Sequence, residues 1–83
     1  MKHPAVYVYT KPNCVQCDWT KKWLDARDVP YHTVDVTEDE AALAYILSLG
    51  YLQAPVVRVG DSEDSPHWSG FIPDNLKEHV TYE

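Results

Sequence analysis

"YTKPNCVQCDWTKKWL", residues Tyr9 to Leu24, decides the fold of this chain, because it holds both cysteines, Cys14 and Cys17, two residues apart. It continues from "AVYVY" (Ala5 to Tyr9), a short apolar run of β-branched and aromatic residues that reads as a buried strand. "TKPN" is a turn. Asn13 is the expected helix N-cap, with Gln16 three residues on, and the helical pattern runs through Arg27 with Val15, Trp19, Trp23 and Ala26 on one apolar stripe. The cysteine pair therefore opens a helix that follows a strand.

Downstream, "YHTVDV" (Tyr31 to Val36) reads as a second strand. "TEDE" has the form of a capping box, Thr37 as N-cap and Glu40 three later, and starts a helix that carries Leu43, Ile46 and Leu47 and stops near Gly50. "APVVRVG" is a third strand ended by a Gly-Asp turn, "SPHWSG" holds a short fourth, and a last helix starts at Pro73, a residue favoured at the first helical position. The order is βαβαββα. Each βαβ unit predicts parallel strands, and the last two strands, joined by a short turn, must be antiparallel. A four-stranded mixed sheet flanked by three helices meets these demands, an α/β arrangement in the broad sense.

With 83 residues the chain is expected to form one domain over residues 1–83, since a chain this short buries only about 60% of its unfolded surface and cannot support two cores. Its apolar fraction of 45% is that of a folded protein and leaves disorder only to the ends. No run approaches the roughly 18 apolar residues of a membrane helix, and Met1 to Thr10 lacks a signal peptide's apolar centre, so a cytoplasmic protein with no membrane partner is expected. A net charge of −6 argues against nucleic acid, whose binding relies on Lys and Arg displacing counterions. The charge is uneven: Lys2, Lys11, Lys21, Lys22 and Arg27 precede residue 36, whereas nine of the 13 acids follow it.

Two cysteines are too few to staple a small secreted scaffold, so the pair must be explained locally. At a helix start, residues i and i+3 fall within the Cα range of about 4.4 to 6.8 Å that an unstrained disulfide requires. The unpaired N–H groups and partial positive charge of the first turn favour a thiolate at Cys14. Cys14 is then the nucleophile, and Cys17, one turn deeper, resolves the mixed disulfide. A zinc site would need two further ligands, and His3, His32, His67 and His79 show neither H-x₃₋₅-H spacing nor a second CxxC. A pair of buried small apolar residues is the plainer alternative. The strand-turn-helix context favours redox chemistry over both. Lys11 in the turn either tunes the thiolate or is simply solvated, and Asp18 suits the helix N-terminus electrostatically.

The chain also resembles a known family. "YTKPNCVQC", "GYLQAPVV" and "HWSGFIPD" are similar to the three signature segments of NrdH-redoxins, glutaredoxin-like proteins of thioredoxin fold that pass electrons to class Ib ribonucleotide reductase. The resemblance runs from about residue 5 to residue 76. It implies Cys14 as attacking and Cys17 as resolving thiol, with Val15 and Gln16 tuning the pair. It implies a cis bond between Ala54 and Pro55, leaving the Ala54 backbone free to pair with a docked substrate strand, and a partner loop made by Trp68, Ser69, Gly70 and Phe71. It implies thioredoxin reductase as reductant, ribonucleotide reductase as acceptor, no bound cofactor or metal, and a monomer. Ile72 stands where the family usually has Arg, and Trp19 and Trp23 are bulkier than the small residues usual on that helix. A glutathione-dependent glutaredoxin is the near alternative; a zinc-binding or structural module is the far one. Against glutathione, "SGFIPD" departs from the Gly-Gly-x-Asp turn that holds the tripeptide's carboxylates, and only Arg58 and Lys77 are cationic after residue 36.

Overall fold

The computed structural model describes residues 4–80, so His3, weighed above as a metal ligand, lies outside the described residues. The elements are β1 (Val6–Thr10), α1 (Val15–Ala26), β2 (His32–Asp35), α2 (Glu40–Ser48), β3 (Val56–Val59), β4 (His67–Ser69) and α3 (Pro73–Val80). They form a four-stranded mixed sheet in the order β2-β1-β3-β4, the expected βαβαββα succession. β1 and β2 are parallel, while β3 is antiparallel to both β1 and β4. One expectation fails here: β2 and β3, on either side of α2, are not a parallel pair. β1 lies between them and β3 runs opposite to it, so only the unit around α1 is a parallel crossover.

The period-2 alternation of the strands sorts the core into two layers. Val6, Val8, Val57, Val59 and Trp68 face one way and pack with Leu24 of α1 and Leu76 and Val80 of α3. Tyr9 and Val56 face the other way and pack with Val36, just past β2, and with Ile46 of α2.

The helix ends differ from the sequence reading in instructive ways. α1 is capped by Cys14, not by Asn13: Asn13 sits in the left-handed region at φ 60, a conformation Asn tolerates, and Cys14 has the extended backbone of an N-cap. α2 is capped by Asp39, whose Oδ1 accepts the Ala42 N–H at 3.0 Å. Thr37 is instead drawn into a turn by Asp35, whose Oδ1 accepts both the Thr37 N–H and its hydroxyl. Both helices end in the same hydrogen-bonded form, a left-handed residue followed by a return to the third carbonyl from the end. Asp28 and the Val29 N–H to Leu24 O bond close α1; Gly50 and the Tyr51 N–H to Ile46 O bond close α2.

The buried face of α1 is also not the predicted stripe. Cys17, Thr20 and Leu24 turn inward, and the Thr20 hydroxyl is satisfied by the Gln16 carbonyl at 2.9 Å. Val15 and Trp19 are more than half and half exposed, respectively. The buried row runs i, i+3, i+7, and its Leu24 joins Val6, Val8, Val57 and Val59 of β1 and β3 in the core, while Trp23 of the expected stripe packs against that core only in part.

Candidate redox site

The strand directions bring the C-terminal ends of β1 and β4, the N-terminal end of β3 and the start of α1 to one edge of the sheet. Cys14 and Cys17 stand at that edge, joined as a disulfide with Cα atoms 5.2 Å apart, inside the range an unstrained bridge requires. Cys14 Sγ accepts the Cys17 backbone N–H at 3.2 Å, so a sulfur does the work of the cap and meets the partial positive charge of the first turn. Cys14 is 9% exposed and Cys17 1%, which leaves Cys14 as the sulfur an outside group can reach. Lys11 is exposed in the preceding turn. Asp18, in the first turn, lies 3.8 Å from Lys21 Nζ and stays solvated.

Two further segments close on the pair. The Ala54–Pro55 peptide is cis, and Pro55 is buried. Pro55 O accepts the Gly70 N–H at 2.8 Å, and the Ser69 hydroxyl donates to Gln53 O at 3.0 Å. Ala54 gives neither its N–H nor its C=O to a backbone hydrogen bond among the described residues. From the other side, the Phe71 N–H donates to Gln16 Oε1 at 2.9 Å, and Gly70 holds φ 97 beneath that oxygen. Gln16, Pro55, Ser69, Gly70 and Phe71 are thus linked to one another at the end of the sheet where the cysteines stand, with Ala54 beside Pro55. Val15 stands out from the same edge, 59% exposed.

Trp68 is not. Expected in the docking loop, its indole is 6% exposed and belongs to the core beneath α1 and α3, because β4 turns alternate side chains to opposite faces and Trp68 takes the inward position between His67 and Ser69. The sequence reading did not single out Leu52, which is 87% exposed two residues before Ala54; a lone leucine carries no signal of that exposure. Thr10 Oγ1, at the end of β1, is buried with no hydrogen-bond partner. Behind the site the Tyr9 hydroxyl is pushed above its ordinary pKa of 10.0, chiefly by burial. Among the described residues no three His, Cys, Asp or Glu side chains converge to hold a metal ion, and no helix is long and apolar enough to cross a membrane.

A CxxC disulfide at the N-terminus of the first helix of a βαβαββα sheet defines a thiol-disulfide oxidoreductase on the thioredoxin fold. The profile of the Glutaredoxin family matches residues 6–63. The chain is 32% identical over 71 residues to the glutaredoxin-like protein NrdH of Lactococcus lactis subsp. cremoris, spanning 86% of this chain and 93% of that one. It is 37% identical over 72 residues to the glutaredoxin-like protein NrdH of Salmonella typhimurium, spanning 87% and 84%. Among solved structures, the glutaredoxin-like protein NrdH-redoxin from Escherichia coli, described as having a thioredoxin-like activity profile, superposes with a TM-score of 0.83 at 30% identity over 95% of this chain and 99% of that one. The chain belongs to the glutaredoxin family, in its NrdH-redoxin group.

Proposed function

We propose that this protein is a monomeric, single-domain, cytoplasmic electron carrier that takes two electrons from thioredoxin reductase and delivers them to the disulfide of a class Ib ribonucleotide reductase. In the reduced protein the Cys14 thiolate attacks one sulfur of the acceptor disulfide, forming a mixed disulfide and releasing the other sulfur as a thiolate. Cys17 then loses its proton and attacks Cys14 Sγ, which forms the Cys14–Cys17 bond and expels the second acceptor thiolate. The acceptor takes up two protons and becomes a dithiol; the carrier holds the disulfide. NADPH, through thioredoxin reductase, then returns the Cys14–Cys17 disulfide to the dithiol.

The observation that carries this reading is the asymmetry of the pair: Cys14 caps the helix and is the more exposed, Cys17 is enclosed one turn deeper. The free backbone of Ala54 supports docking of the acceptor as an added strand, with Val15, Gln16, Pro55, Ser69, Gly70 and Phe71 around it. Trapping distinguishes the two sulfurs. Cys17→Ser mixed with a disulfide peptide should accumulate a covalent adduct visible by mass spectrometry, while Cys14→Ser gives none; the opposite pattern reverses the roles. NADPH consumption coupled to disulfide turnover tests the reductant. Thioredoxin reductase should sustain it and glutathione with glutathione reductase should not, because Phe71 and Ile72 crowd the turn where glutathione's carboxylates would sit and Arg58 lies in the row of β3 away from the site edge. Efficient turnover with glutathione would replace this reading by that of a glutathione-dependent glutaredoxin.

A further inference from the structure

One flank of α1, where Trp23 and Phe71 are half-buried against the core, carries a feature the redox chemistry does not use. Trp19, Lys22 and Trp23 are spaced i, i+3, i+4 and so share one face, and with Phe71 they line an open groove of about 510 Å³. Trp19 is half exposed and tilts against Phe71 with ring centroids 6.0 Å apart. Trp23 is covered on one side by the Arg27 guanidinium, 3.8 Å from its ring centroid. Phe71, shared by groove and site, is fixed through its N–H by Gln16, the residue before Cys17. The groove is therefore continuous with the redox edge.

Charge says what fits it. The protein carries −6 overall, yet this face offers Lys22 and Arg27. Lys21 is matched to Asp18 and Asp25 accepts the Tyr31 hydroxyl, while neither Lys22 nor Arg27 has a carboxylate within ion-pair distance among the described residues. A second copy of this chain is a poor occupant, because a two-fold contact would bring this basic face against itself. The groove midpoint lies between Trp19 and Trp23, about 10 Å along the helix from Cys14 at roughly 1.5 Å per residue. An extended chain covers that distance in about three residues at ~3.3 Å each.

We propose that this groove docks an acidic, apolar stretch of the partner protein, which seats a large apolar side chain between Trp19 and Trp23 and a carboxylate on Lys22 and Arg27. The stretch lies about three residues from the half-cystine that Cys14 attacks. The inference rests on the reading of this protein as a disulfide reductant for the partner's identity, though not for the groove's occupancy. The two are tested apart with a pair of short disulfide peptides, one carrying Phe-Glu at that spacing from a half-cystine and the other Ser-Lys. In the Cys14→Ser/Cys17→Ser protein, which cannot transfer electrons, the Phe-Glu peptide should shift the indole N–H resonances of Trp19 and Trp23 but not Trp68, and bind about tenfold tighter than the Ser-Lys peptide. In the dithiol protein the same preference should appear in the reduction rates. Trp19→Ala should abolish the preference, and Lys22→Glu should turn it toward a Phe-Lys peptide. Equal binding of both peptides, or an unchanged preference in Trp19→Ala, overturns the groove as a docking site. Selective binding by a protein that reduces neither peptide would leave the groove standing and overturn the redox reading instead.

Discussion

Gln16 and Phe71 stand 55 positions apart in the chain, and the side-chain oxygen of Gln16 accepts the Phe71 backbone N–H at 2.9 Å. The bond ties the first turn of α1 to the loop after β4. Because Gln16 is exposed, water can partly replace the bond, and Gln16→Ala should cost only about 1 kcal/mol by urea denaturation. The local effect should be larger: amide exchange at Phe71 should speed up while that of Val57 in the core strand tracks global stability. Unchanged exchange at Phe71 would mean that the loop is held by other contacts.

Gly70 sits under the same oxygen. It holds φ 97, and a Cβ there would meet Gln16 Oε1 at 3.3 Å. Gly70→Ala should lose about 1–3 kcal/mol from the left-handed backbone and this close contact together. The double variant Gly70→Ala/Gln16→Ala separates the two, since removing the oxygen relieves the contact and not the backbone. A double-mutant cycle showing no coupling would rule out the steric part.

Trp68 should behave as a core residue. Trp68→Ala is expected to cost about 3–5 kcal/mol, and Trp68→Phe markedly less than its lost area suggests, because the buried indole N–H has no hydrogen-bond partner. A Trp68→Ala protein of near-normal urea midpoint that nonetheless failed with its protein partner would restore the docking role.

The Tyr9 hydroxyl carries a pH dependence of known sign. Its pKa is raised in the folded protein, first by burial and next by the neighbouring Tyr45, against the lowering effect of Arg58. The folded state therefore holds this proton more tightly than the unfolded state. The stabilisation is complete below the unfolded value of 10.0 and is lost as pH rises through the raised folded value. Urea midpoints measured from about pH 8.5 to about 11 should fall less steeply for Tyr9→Phe than for the parent protein. Parallel curves would refute it.

Most of the element order was legible in the sequence, because β1 and β3 are dominated by valine and tyrosine and the cysteine pair marks the start of a helix. What could not be read depends on which of several local options the tertiary fold selects. Asn13 was the expected cap of α1, but its left-handed backbone passes that place to Cys14. Thr37 was the expected cap of α2, but the Asp35 carboxylate draws it into a turn and Asp39 takes its place. Two tryptophans dominate any hydrophobicity-weighted reading of α1, yet the helix buries Cys17, Thr20 and Leu24 and leaves Trp19 half exposed. The Gln16 to Phe71 bond and the Gly70 to Pro55 bond join residues far apart in the chain, and no local pattern announces them.

Since the site segments all lie at one edge of the sheet, the connection between β3 and β4, Gly60 to Pro66, lies at the other, about 13 Å away over the length of β3. Glu63 and Asp64 are exposed in it. A linker coupled to these carboxylates would fix the molecule to an electrode or bead by its blunt end, with the cysteine pair pointing into solution and open to a protein partner.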